Sequence, residues 1–247
     1  MLIKAENLYK IYRMGDSEVR AVDGVSLEIA SGEFACIMGQ SGSGKSSLMH
    51  ILGCIDTPTS GKYFLNGTDT VALDDTSLSA IRNKEIGFVF QSFNLLGHRN
   101  ILHNVELPMI YSKLQPSVRR KKAEEALSAM GLANRTGHKP TELSGGQNQR
   151  VAIARALAGN PSVIFADEPT GNLDSSTSSE IMALFNHLNE MGKTLIMVTH
   201  DREVAEYAER IIEIKDGKIL EDRKNRKRKS TGSLSGFNLE ILFGERK

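Results

Sequence analysis

The 247-residue sequence has two cysteines, Cys36 and Cys54, which lie outside any CxxC pattern. That scarcity excludes a disulfide scaffold and leaves reduced, buried thiols as the plain reading. The six histidines show no zinc-like spacing. No apolar run nears the roughly 18 residues a membrane span requires, and the N-terminus lacks the pattern of a secretory leader. These absences predict a chain that stays in the cytoplasm, with any membrane span supplied by another chain. Internal repeats are missing too, as is a strong charge of one sign. Residues 1–220 carry 23 basic against 26 acidic side chains. Such a body is a poor match for nucleic-acid phosphates, and any anion-seeking surface is expected in the basic stretch "EDRKNRKRK" at 221–229.

The chain is 40% hydrophobic and 25% charged, which is ordinary for a globular protein with one sizeable core or a core and a smaller lobe. "LIKAENLYKIYR" and "VRAVDGVSLEIASGEFACIMG" read as strands, with turns at Asp23-Gly24 and Ser31-Gly32. "FACIMG" suits a buried parallel strand, followed by a helix from about Gly44 that buries Leu48, Met49, Ile51 and Leu52. "GKYFLNGTD" predicts a hairpin turning at Asn66-Gly67. After the strand "EIGFVFQ" the character turns helical up to about Ala158. There "PSVRRKKAEEALSAMGL" reads as a helix capped by Gly131, with its "RRKK" run as a solvated face. Strands resume with "SVIFAD" and "TLIMVTH", with helices expected over 176–191 and 203–209, and "RIIEIKDGKI" closes as a hairpin. The alternation predicts an α/β fold with a mostly parallel sheet, an antiparallel β patch near the N-terminus and an inserted helical segment.

"GQSGSGKS", Gly39 to Ser46, fits G-x-x-x-x-G-K-[ST]. Glycines let backbone N–H groups curl into a nest for phosphates, and the following helix turns its positive end toward them. Gly39, Gln40, Ser41, Gly42, Ser43, Gly44, Lys45, Ser46 and Ser47 are therefore candidate ATP contacts. Lys45 would reach the β- and γ-phosphates, and the Ser46 hydroxyl would ligate Mg²⁺. A Gly-rich surface turn is the bland alternative, but the strand before and the helix after argue against it. "VIFADE" then offers Asp167 for Mg²⁺ and Glu168 as general base, a role worth roughly 10²–10⁴-fold in rate. Alone, the pair would read as a solvated acidic turn.

A second glycine pair, in "TELSGGQNQR" at 141–150, opens another helix. With the two Walker elements, Gln91 and His200, it resembles the ATP-binding-cassette (ABC) ATPases, over residues 1 to about 220. The resemblance implies a P-loop NTPase fold with an N-terminal antiparallel β subdomain and an α-helical subdomain. It places core and β subdomain at 1–91 and 159–221 and the helical subdomain at 92–158, and beyond it composition predicts a basic, flexible tail at 222–247. It implies that two copies dimerise on ATP, with Ser144, Gly145, Gly146 and Gln147 of each closing on the other's nucleotide. It makes Gln91 a Mg²⁺ and water contact, His200 a γ-phosphate contact, Asp174 of "GNLD" a dimer-interface residue and Tyr12 the aromatic stacked on adenine. A capping or packing histidine, and a strand tyrosine with Tyr9 as its competitor, are the plain alternatives at the last positions. Asn148, where the family often has Gln or Lys, is a departure expected to matter little.

"SGSGKSSLMHILGCIDTPTSG", "IGFVFQSFNLL", "NVELPMIY" and "DEPTGNLDSSTS" are similar to the bacterial branch of macrolide-exporter, lipoprotein-releasing and cell-division ATPases. That resemblance implies an integral membrane permease as partner and a place on the inner face of the cell membrane. It also makes Phe93, Leu95 and Leu96 either a groove for the partner's coupling helix or core packing. A DNA- or ribosome-directed ABC ATPase is the first rival reading. It lacks support in the acidic body, the single cassette and the absence of a coiled-coil or zinc insertion. A regulatory partner of a membrane complex is the second rival. In the tail, "RKNRKRKS" reads as solvated or as an anionic-lipid contact, and "GFNLEILFG" as apolar enough to dock on the body or a partner.

Overall fold

The computed structural model describes residues 1–15, 17–229 and 236–244. In chain order the elements are β1 (Ile3–Met14), β2 (Ser17–Ile29), β3 (Phe34–Met38), α1 (Lys45–Leu52), β4 (Ser60–Leu65), β5 (Thr68–Asp69), α2 (Asp75–Glu85) and β6 (Ile86–Phe90). Then follow α3 (Ile101–Ile110), α4 (Pro116–Ala129), α5 (Gly145–Leu157), β7 (Val163–Asp167), α6 (Ser175–Glu190) and β8 (Thr194–Thr199). The chain ends with α7 (Arg202–Ala205), β9 (Arg210–Lys215), β10 (Lys218–Lys224) and α8 (Glu240–Phe243). They form two compact units, one of residues 1–82 and 192–229, the other of 83–191 with the C-terminal residues 236–244.

The first unit holds an antiparallel sheet in the order β2-β1-β4-β5 and a second set in the order β10-β9-β3-β8. In the second set β3 runs parallel to both β8 and β9, and all five of its residues are buried. A strand covered on both faces needs an unbroken apolar run, and "FACIM" supplies it. The expected turn at Asp23-Gly24 is absent, and β2 runs straight through it. Leu8 pairs with Val25 and Tyr9 with Asp23, so Gly24, at φ +75°, is the extra residue of a bulge. Asn66 and Gly67 do turn the β4–β5 hairpin, both with positive φ. The helix expected over 203–209 is only the four residues of α7. Tyr207 and Ala208 tighten into three-residue bonds to Val204 and Ala205, and the Glu209 amide then bonds Phe34 and enters the sheet.

In the second unit β6 and β7 pair in parallel, and Phe88 stacks on Phe90 and Phe165 at 5.5 and 5.6 Å. Helix α5 buries Val151, Ala152, Ile153, Ala154 and Leu157. It packs against β6, α3 and α4. Helix α2 was not expected from the sequence, and α3 lies in the stretch read as helical without having been placed individually.

The tail departs from the solvated extension expected to begin at 222. Strand β10 continues to Lys224, and the Asp222 carboxylate pairs with Arg210 at 2.6 Å. Asn225 donates to the Glu206 and Ala208 carbonyls. Arg228 pairs with Glu209 at 2.9 Å and lies 5.7 Å from the Phe34 ring. Lys229 pairs with Glu206 at 3.1 Å. Within the second unit Leu239 is 3% exposed, the Asn238 amide bonds the Ala129 carbonyl at 2.9 Å, and α8 packs on α4. So the apolar "GFNLEILFG" does dock on the body. Ser230 and the rest of the tail expectation, 230–235 and 245–247, fall outside the described residues.

Candidate nucleotide site

In the first unit the loop Gly39–Ser46 leaves the carboxyl end of β3 and opens α1. Two of its glycines are demanded by close approach. A Cβ on Gly39 would sit 2.3 Å from the Ile214 carbonyl oxygen, and one on Gly44, at φ +100°, would sit 2.0 Å from that of Ala21. At these two positions only a residue without a Cβ fits the loop's close approach to neighbouring backbone. Lys45 is 8% exposed, and its ammonium donates to the Gln40 carbonyl at 2.7 Å, which holds the loop curled. The Ser43 hydroxyl is buried without a hydrogen-bond partner. An orphaned hydroxyl costs about 1–3 kcal/mol, and a phosphate oxygen in the loop would satisfy it. Ser46 is exposed at the start of α1. Met38 is in register with Thr199, so Gly39 and His200, which is exposed, leave adjacent strands at the same edge.

Tyr12 is 38% exposed on β1; its hydroxyl donates to Asp56 at 3.0 Å, and the Lys10 ammonium lies 5.1 Å from the ring centroid. Burial pushes the Asp56 carboxyl up, but hydrogen bonds from Lys10, the Thr57 amide and Tyr12 outweigh it and hold the group below its usual range. Tyr9 is committed elsewhere, with its hydroxyl closing over the Gly24 bulge.

The second unit brings Gln91, Asp167 and Glu168 together. Phe90 is in register with Asp167, so Gln91 and Glu168 both follow adjacent parallel strand ends. Glu168 has φ +44°, unusual for a residue with a Cβ and costing of order 1–3 kcal/mol. The turn from 168 to 174 leans on Gln91. Asn172 donates to the Gln91 carbonyl at 3.0 Å, and a Cβ on Gly171 would sit 2.6 Å from the Gln91 side-chain nitrogen. Asp174 N-caps α6, accepting from the Thr177 amide at 3.0 Å. Hydrogen bonds from the Ser176 hydroxyl first, then from Thr177, hold its carboxyl far below the usual aspartate range.

The signature opens α5. Ser144 is its N-cap, with Oγ accepting from the Gln147 amide at 3.3 Å while the Gln147 side chain accepts from the Ser144 amide at 3.0 Å. Ser144 and Gly145 are exposed, and a Cβ on Gly146 would sit 2.4 Å from the Thr177 methyl. The capping box presents the helix's positive end outward, a geometry suited to an anion.

Of the residues expected to hold Mg²⁺, Ser46 offers a hydroxyl in the first unit, and Gln91 and Asp167 offer an amide and a carboxylate in the second. The described residues hold no cluster of three or more His, Cys, Asp or Glu side chains able to bind a metal. That sparse set fits a cation which keeps most of its waters and takes its remaining ligands from substrate phosphates.

Three residues that shape this region escaped the sequence reading. Phe93 and Asn94 have φ of +60° and +49°, and Arg155 grips both carbonyls, at 2.9 and 2.5 Å. Asn104, fully buried, accepts from the Leu96 amide at 2.6 Å and donates to the Asn100 carbonyl at 2.9 Å. Gln149, also fully buried, donates to the Pro169 carbonyl at 2.6 Å. A polar residue at an apolar helix position was the available signal for Asn104 and Gln149. Phe93, Leu95 and Leu96 are half-buried.

A phosphate nest at a buried strand end, with a lysine and a serine hydroxyl at the mouth of the next helix, defines a P-loop nucleotide-binding protein. Comparison with known proteins narrows this. The family model described as ABC transporter matches residues 22–171. The chain is 51% identical over 225 residues to a macrolide export ATP-binding/permease protein, MacB, of Hyphomonas neptunium, covering 91% of this chain and 35% of that protein. It is 51% identical over 223 residues to the uncharacterized ABC transporter ATP-binding protein YvrO of Bacillus subtilis, covering 90% of this chain and 97% of that one. A dimeric post-hydrolysis structure of the ATP-binding cassette MJ0796, bound to ADP and Pi, superposes with a TM-score of 0.84 at 48% identity, covering 91% of this chain and 99% of that one. This chain belongs to the ABC transporter family, as its ATP-binding cassette, an ABC-type ATPase. It spans about a third of the length of the macrolide-export relatives. Among the described residues no helix is long and apolar enough to cross a membrane.

Proposed function

We propose that this cassette hydrolyses ATP as a head-to-tail pair of copies and passes the resulting movement to an integral membrane permease, for efflux, lipoprotein release or force transmission across the membrane. The observation that carries the reading is the tight loop at 39–46, with Lys45 held inside it and a buried Ser43 hydroxyl awaiting an acceptor. ATP seats its phosphates there while Tyr12 offers its ring to adenine. Ser46, Gln91 and Asp167 would hold Mg²⁺, which would supply charge neutralisation on the β- and γ-phosphates. The partner's Ser144, Gly145 and Gly146 close over the γ-phosphate, and Gln147 steadies that cap. Glu168 orients the attacking water, while Lys45 and His200 stabilise the charge that builds. Asp174 lies at the seam between the copies. Exposure of Ser144 and Gly145 in the single chain supports this pairing, as do the dimeric MJ0796 cassettes. Through the permease, the cassette sits on the inner face of the cell membrane. The helical portion, 92–158, is the part proposed to engage the permease.

Glu168→Gln should retain ATP binding and accumulate as an ATP-bound dimer. Light scattering at saturating ATP measures this, and a monomer throughout the titration would refute the paired mechanism.

A further inference from the structure

The turn that carries Glu168 is braced on two sides. Gln91 braces one side, through Asn172 and Gly171. The start of α5 braces the other. Gly145 faces Leu173 across 3.6 Å from its would-be Cβ, Gly146 lies against Thr177, and Gln149 donates to Pro169. The Gln149 contact differs from the rest in its chemistry. Its side chain is 0% exposed, it shares a helix face with the buried Ala152, Ile153 and Ala156, and its Oε1 has no hydrogen-bond partner. A buried amide with one half unsatisfied is a costly way to fill space, since Leu or Met would fill it without that cost. The bonded half meets the backbone immediately after Glu168, the residue whose left-handed φ needs outside support.

We propose that Gln149 is a positioning residue. By holding the Pro169 carbonyl to the signature helix, it sets the backbone of Glu168 and makes the signature helix and the base-bearing turn of one chain move as one piece. In the paired mechanism these two parts serve different nucleotides, the turn its own and the signature its partner's. Gln149 therefore links the two hydrolysis sites. The inference rests on that paired reading.

Gln149→Met keeps the volume and removes both polar atoms. Turnover should fall about tenfold with KM for ATP moving less than about twofold, and the Hill coefficient should drop toward one. Wild-type kcat and cooperativity in this variant would overturn the proposal. Gln149→Glu restores the donor only while its carboxyl is protonated. Its turnover relative to wild type at the same pH should climb from about pH 8 to about pH 6, because a buried carboxyl readily regains its proton. A flat ratio would also overturn the proposal, and it decides the matter if the Met variant fails to fold. Gly145→Asp, which has ordinary steric room, puts a negative charge where the partner's γ-phosphate should lie. If it turns over normally, the paired reading itself is wrong. If it is dead while Gln149→Met is normal, only the role of Gln149 falls.

Discussion

At the scale of single residues, the proposed site separates groups that hold shape from groups proposed to face substrate. Lys45 does both in turn. Its ammonium is tied to the Gln40 carbonyl, and in the proposed mechanism a bound phosphate would give its charge a stronger partner. Lys45→Ala should therefore lose turnover by at least about 10²-fold, the usual effect of deleting a charge-stabilising donor. Steady-state phosphate release measures this, and a near-normal rate would refute the role. Cys54 illustrates the opposite case. Burial pushes its thiol up to about 11, so it stays protonated and unreactive, as the scarcity of cysteine implied. Candidates such as Lys45, Ser46 and Asp167 could be named from the sequence because the motifs that suggest them are written in adjacent letters. Gln149 and Arg155 were not, since their partners at 169 and 93–94 are 20 and about 60 positions away.

At the scale of elements, the strands and most helices followed from apolar runs and caps, and the exceptions have local causes. Helix α3 carries Pro108 in its last turn, a residue that reads from sequence as a terminator. Helix α2 is polar, so no apolar stripe announced it. Gly24 read as a turn because a bulge and a turn make the same demand on φ. The segment between β6 and α3 has no regular structure, yet Asn104 orders it by closing bonds to both ends of Leu96 and to Asn100. Asn104→Ala would strand those buried backbone groups. A loss of about 2 kcal/mol is expected, read from chemical denaturation. An unchanged midpoint would mean water replaces the amide.

At the scale of the whole molecule, the end of the chain changes the picture drawn from composition. Its basic run looked like a solvated appendage, because sequence alone does not pair Asp222 with Arg210 or Arg228 with Glu209. Arg210 also holds Glu33, and its charge is locked on by Asp222 first, with burial working against it. Truncation after Lys229 should leave basal turnover close to wild type, whereas truncation after Glu221 should lower the denaturation midpoint by deleting Asp222. Equal stability of the two truncations would show that β10 needs only its first four residues. The paired bracing of residues 168–174 has a practical consequence for anyone recombining cassettes. A graft that exchanges the helical portion alone would join a foreign 145–149 to a native 168–177, and a side chain at 146 would put its Cβ 2.4 Å from the Thr177 methyl. The two stretches have to be inherited together, as a single transplantable module split across the sequence.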